Sequence, residues 1–182
     1  MSQIDLNLPP ITDGGAAVIT GAAGGIGLAA ARRFAELGMS VVLADLSGEK
    51  LRAAETSIRE AGGRVAAVPT DVSKPADLAR LRDLTQDQFG HVGVLMLNAG
   101  VGANPGSAWQ NLDAWRSLID VNLWGVINGA QAFVPAMVAS GRPACLFVDA
   151  TNPISTRCYA RIGYMVIAAH ASAYRVTDKG PS

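Results

Sequence analysis

Residues 20–27 read Thr20-Gly21-Ala22-Ala23-Gly24-Gly25-Ile26-Gly27. They follow a short apolar run, Ala16–Thr20, and open a stretch, Ile26–Leu37, that carries a helical pattern. In that stretch Ile26, Ala29, Ala30, Phe34 and Leu37 share one face, and Arg32, Arg33 and Glu36 are left for solvent. The order is strand, glycine-rich turn, helix. In such a turn Gly21 permits a sharp reversal, Gly25 lets backbone approach a pyrophosphate, and Gly27 lets the helix pack closely on the sheet. A pyrophosphate would sit on the free amides at the positive end of the helix. The alternative is an ordinary glycine-rich turn, and an isolated glycine triplet does not decide between the two.

Working outward, the same rhythm repeats. Ser40–Asp45, Arg64–Val68, Val92–Leu97 and Ala144–Val148 are further strand-length runs. Most are apolar throughout and do not alternate, as strands buried on both faces are. Helical stretches lie between them at Gly48–Ala61, Ala76–Phe89 and from about Leu112 to Ala139. Gly38 and Gly62-Gly63 stand where helices stop, Lys74-Pro75 and Asp77 where one starts, and Pro135 is expected to kink or end the last. Strands alternating with helices predict an α/β fold, a doubly wound parallel sheet with helices on both faces. Its final strands are not recognisable in residues 149–182. Residues 1–12 read as a loose leader and 13–182 as a single domain.

Composition narrows the class. The 182 residues suit one domain, and 49% hydrophobic against 16% charged side chains excludes a disordered chain. Fifteen basic and fifteen acidic side chains cancel, so no charge footprint points to nucleic acid or an anionic membrane. Two cysteines, Cys145 and Cys158, are too few for a disulfide framework and read as reduced thiols. The first residues lack a secretion signal, and no apolar run approaches the ~20 residues of a membrane span. A cytoplasmic protein is expected, with no metal site.

Asp45 ends the second run, eighteen residues beyond Gly27. A carboxylate there can accept from both adenosine ribose hydroxyls and would repel a 2′-phosphate. No Arg or Lys lies in 22–24 or directly after Asp45, and Arg32 and Arg33 lie within the helix. The reading therefore leans to NAD over NADP. The alternative for Asp45 is an acid capping the next helix near Ser47.

Over residues 13–150 the chain resembles the short-chain dehydrogenase/reductase family, whose Rossmann-type fold is the one described above. The matching pieces are Thr20–Gly27, Asp45, Asp71-Val72, Asn98-Ala99-Gly100, and Asn122 within VNLWGV. The resemblance implies that Thr20, Gly21, Gly25, Ile26 and Gly27 hold the pyrophosphate and that Asp71 meets the adenine amino group with the Val72 backbone against the ring. It also implies that Asn98, Ala99 and Gly100 line the cofactor channel. Asn and Gly also favour plain strand-to-loop turns. Asn122 would kink its helix and hold a relay water through its carbonyl.

The same resemblance calls for a Ser, a Tyr, and a Lys four residues after the Tyr. The Tyr exchanges the proton of the substrate oxygen, the Ser polarises that oxygen, and the Lys lowers the Tyr pKa. Thr151 and Tyr164, thirteen residues apart, fit the first two places. Four residues past Tyr164 stands Ala168, and neither His170 nor Lys179 falls on the needed face of a regular helix. Tyr164 also reads as a half-buried aromatic on an apolar helix. The implied function is NAD(H)-dependent hydride transfer between a secondary alcohol and a ketone, on a small alcohol or carbonyl substrate. The alternative is an NAD-binding protein without catalysis. A homo-oligomer, dimer or tetramer, is implied through the Leu112–Ala139 stretch and the Tyr164 segment.

Overall fold

A computed structural model describes residues 14–102 and 111–140, together with backbone strand at 147–148, 164–166 and 172–176. Four strands, β1 (Ala16–Thr20), β2 (Ser40–Asp45), β3 (Val65–Pro69) and β4 (Val92–Met96), form a parallel sheet in the order β3-β2-β1-β4. They alternate with α1 (Gly25–Glu36), α2 (Glu49–Glu60) and α3 (Pro75–Phe89). After β4 come α4 (Leu112–Ile119), a π-helical turn (Asp120–Trp124) and α5 (Gly125–Ala139).

The continuous apolar runs follow from burial on both faces. Side chains alternate across a strand, so Ala17, Ile19, Val41 and Leu43 join one core with Ala31 of α1 and Leu51, Ala54 and Ile58 of α2. Val18, Val42 and Ala44 join the other with Leu78 and Leu81 of α3 and Phe133 of α5. An alternating strand would leave one of these cores without a wall. Both glycine stops act as read: Gly38 and Met39 donate back to Ala35 and Phe34, and Gly62 and Gly63 to Arg59 and Ile58.

Three expectations need correction. The stretch from Leu112 to Ala139 is two helices joined at Asp120–Trp124, and Pro135 lies inside α5, which runs on to Ala139. Pro135 and Gln131 are both exposed, so the carbonyl that loses its partner at the proline is open to water. The fifth run does not extend the parallel sheet. Of that run the described residues are Phe147–Val148 (β5), which pair antiparallel with β7 (Ser172–Val176) in a separate sheet of order β5-β7-β6. Finally, Tyr164 stands on β6 (Tyr164–Val166), opposite Val176, and not on a helix. Gly163 and the β-branched neighbours Val166 and Ile167 disfavour helix there. Residues 1–12 lie outside the described residues.

Phe133 anchors α5 under the sheet and is 1% exposed. Phe133→Ala is expected to lower unfolding stability by about 3–5 kcal/mol, read as a lower urea midpoint with an unchanged slope.

Candidate functional site

The strand order reverses between β1 and β4, and the crevice outside their carboxyl ends is where an open α/β sheet takes a ligand. A cavity of about 1010 Å³ lies there. Thr20, at the end of β1, is 1% exposed and faces inward. Its Oγ1 accepts from the Asn98 and Ala99 amides at 2.9 and 3.0 Å, and its hydroxyl donates to the Met96 carbonyl at 3.4 Å. The Asn98 side chain returns the contact, its Nδ2 donating to the carbonyls of Thr20 (3.1 Å) and Gly21 (3.4 Å). From the other side, β2 holds the same loop. The Ala22 amide donates to the Ala44 carbonyl at 3.3 Å and the Ala23 amide to Asp45 Oδ2 at 2.8 Å.

The glycines have identifiable tasks. Gly21 has φ +68°, and a Cβ there would stand 2.8 Å from Ala99 Cα. A Cβ at Gly27 would overlap the Gly21 carbonyl. Gly25, at φ +54°, has nothing within 4 Å of its Cβ position, because that position opens on the crevice. No side chain caps the N-terminus of α1 and no acid stands in its first turn. The positive end of α1 therefore opens into the cavity with room for an anion, and the residues present fit a dinucleotide pyrophosphate.

Asp45 lines this cavity and does not cap α2, whose N-cap is Gly48 without a side-chain bond. Asp45 Oδ1 accepts from the Leu46 amide at 2.8 Å. Asp71, after the neighbouring strand β3, lines the same cavity. The Ser73 hydroxyl (2.6 Å) and amide (3.1 Å) donate to its Oδ1, and Lys74 Nζ lies 3.2 Å from its Oδ2. The Ser73 hydroxyl first, then Lys74 and the Ser73 amide, outweigh desolvation and hold the Asp71 carboxyl below its ordinary value. The Asp71 amide donates to Asp77 Oδ2 at 2.9 Å, so the first turn of α3 fixes the loop after β3. Val72 is buried beside Gly125, and its carbonyl accepts from Asn128 Nδ2 at 3.2 Å.

Gly21, Gly25, Ile26, Asp45, Asp71, Val72, Asn98, Ala99 and Gly100 thus share one crevice, while Thr20 and Gly27 support it from behind. Asn122 lies in the π-helical turn. Its Oδ1 accepts from the Val101 amide at 2.8 Å and its Nδ2 donates to the Val101 carbonyl at 3.0 Å, which fastens the loop after β4 to the helix. Thr151 lies outside the described residues, and Tyr164 is described only as backbone of β6. The position four residues past Tyr164, Ala168, lies outside the described residues. Sequence reading missed Ser73, Asn128, Lys50 and Arg116. Ser73 two places after an acid is a signal for a local side-chain turn. Lys50, in the first turn of α2 five residues past Asp45, and Arg116 of α4 line the cavity; Arg116 is too far along the chain for local spacing to place it. Among the described residues no cluster of three or more His, Cys, Asp or Glu is arranged to hold a metal ion. None of the described helices is long and apolar enough to cross a membrane.

The family model for short chain dehydrogenase matches residues 15–152. The chain belongs to the short-chain dehydrogenase family. It is 44% identical over 140 residues to 1-deoxy-11-beta-hydroxypentalenate dehydrogenase of Streptomyces exfoliatus, covering 75% of this chain and 50% of that one. A short-chain dehydrogenase/reductase of Burkholderia phymatum, solved in complex with NAD, superposes with TM-score 0.69 at 40% identity, covering 71% of this chain and 46% of that one. A metagenomic short-chain oxidoreductase in complex with NADP superposes with TM-score 0.67 at 40% identity, over 71% and 59%. The chain spans about half the length of the curated relative.

Two expectations follow from this geometry. Thr20→Val keeps shape but strips two part-buried amides of their acceptor, so it should destabilise by about 1–3 kcal/mol in urea unfolding, whereas Thr20→Ser should be tolerated. The lowered Asp71 value means that its ionised form contributes stability above its ordinary 3.8, lost as pH falls through the lower folded value. Ser73→Ala should move the Asp71 titration back toward 3.8, as seen by carboxyl NMR.

Proposed function

We propose that the crevice binds NAD(H) in support of hydride transfer between a secondary alcohol and a ketone. The observation that carries this reading is an acid at the tip of β2 in the same cavity as the uncapped N-terminus of α1. The amides of the glycine-rich turn would take the pyrophosphate, Asp45 the two adenosine ribose hydroxyls, and Asp71 and Val72 the adenine. Bound there, the nicotinamide supplies or accepts the hydride. Asp45 supports NAD over NADP, because its charge opposes a 2′-phosphate. Arg32 and Arg33 do not offset it: Arg32 donates to Ser57 Oγ at 2.9 Å and Arg33 pairs with Glu36 at 2.9 Å. Lys50 is the basic side chain that shares the cavity wall with Asp45, so the preference is a balance and not an exclusion.

The name of the Streptomyces exfoliatus relative supports a small hydroxylated substrate. Thr151 and Tyr164 are proposed to hold the reacting oxygen, and Asn122 to keep the nearby loop in place. Leu123 and Trp124, 54% and 50% exposed, support a homo-oligomer through that face, a state that sedimentation reads out. A second reading, dinucleotide binding with little or no turnover, is favoured by Ala168 at the lysine place and by Tyr164 on a strand.

Fluorescence titration of the 182-residue chain tests both. NADH is expected to bind at least about tenfold more tightly than NADPH, the size of one adverse charge contact. Equal affinities would remove the role given to Asp45, and no binding of either would remove the reading itself. Turnover with a panel of cyclic secondary alcohols, or its absence beside intact binding, separates the first reading from the second.

A further inference from the structure

The loop between β1 and α1 consists of Gly21, Ala22, Ala23 and Gly24, with Gly25 opening the helix, so no side chain within it can fix its shape. The hold from β2 consists of two bonds. The backbone bond from Ala22 to Ala44 is long, at 3.3 Å, while the bond from the Ala23 amide to Asp45 Oδ2 is 2.8 Å and ends on a carboxylate. A charged acceptor at that distance makes the stronger of the two. The Leu46 amide on Oδ1, also at 2.8 Å, fixes the rotation of the carboxylate. A carboxylate offers about four acceptor positions. Two are used by backbone, and the group still lines the crevice.

We propose that Asp45 is a positioning residue for the glycine-rich loop, its carboxylate holding the Ala23 amide in place whether or not a nucleotide is present. The side-chain hold from β2 and the recognition of the adenosine ribose then fall to the same carboxylate, while Asn98 holds the loop from the β4 side. Ribose recognition rests on the function proposed above; the hold on Ala23 does not.

The test compares the 182-residue chain with Asp45→Ala and Asp45→Asn. Amide exchange by NMR, without ligand, reads the hold directly. Ala23 exchange should speed up about tenfold in Asp45→Ala, the scale of one lost charge-assisted bond. The change should be smaller in Asp45→Asn, which keeps one acceptor oxygen, and the Ala99 amide on Thr20 should be unaffected. Titration with NADH and with an analogue lacking both adenosine ribose hydroxyls then separates holding the loop from holding the sugar. Asp45→Ala should weaken the dideoxy analogue about threefold or more, and NADH further. Ala23 exchange unchanged in a folded Asp45→Ala or Asp45→Asn protein would overturn the proposal, as would a dideoxy affinity indifferent to the substitution. If the unsubstituted chain binds neither ligand, the nucleotide reading fails, and the exchange measurement alone decides the role of Asp45.

Discussion

Five consecutive residues with side chains no larger than methyl must hold a single backbone shape at the mouth of the sheet, and they have nothing of their own to do it with. Glycine gives the freedom to make the turn and the same freedom to leave it. The shape is therefore imposed by the flanking strands, and the two sides use complementary chemistry. On the β4 side a carboxamide, Asn98, donates to the loop's carbonyls; on the β2 side a carboxylate, Asp45, accepts from its amide. Beneath them the Thr20 hydroxyl joins the ends of β1 and β4. A loop held this way does not need to be ordered by a ligand, which removes an entropic cost from binding.

The walls of the crevice extend the same logic. The loop after β3 is fixed by Asp77 from α3 and by Asn128 from α5, and the loop after β4 by the Asn122 carboxamide. Each wall is thus held by a polar side chain from an element further along the chain. Gly125 and Gly129 of α5 let that helix approach Val72 and Leu97 closely enough for Asn128 to reach. Close packing here serves polar geometry as much as burial.

Most of the parallel sheet was legible because local signals and tertiary environment agree. Runs such as Ser40–Asp45 are apolar throughout because both faces are covered, and Gly38 and Gly62 stop helices where a reader expects. The positions brought together in the crevice lie at or just past strand carboxyl ends (Gly21, Asp45, Asp71, Val72, Asn98, Ala99, Gly100) or at the start of α1 (Gly25, Ile26), places that local sequence signals locate. What escaped is what depends on distant partners. The π-helical turn at Asp120–Trp124 has no local signature apart from an Asn within a helical run, and its side-chain partner, Val101, lies twenty-one residues away. Pro135 promised a break that helix packing overrides through Phe133, two residues earlier and buried. At Tyr164 the helix was inferred from likeness, against a Gly and a β-branched pair that favoured strand.

That division also separates two capacities of the fold. On the proposed reading, dinucleotide affinity would rest on amides, carboxylates and glycines around the strand ends, all built by β1 to β4 and the helices packed against them. Proton transfer in this family instead needs a phenol with a cation one helical turn away. A phenol at its ordinary value near 10 is ionised in only about one molecule in a thousand at pH 7, so losing the cation costs about three orders of magnitude in the reactive form. A chain with Asp45, Asp71 and Thr20 in place and Ala168 at the lysine position can therefore keep its hold on a nucleotide while its chemistry falls away.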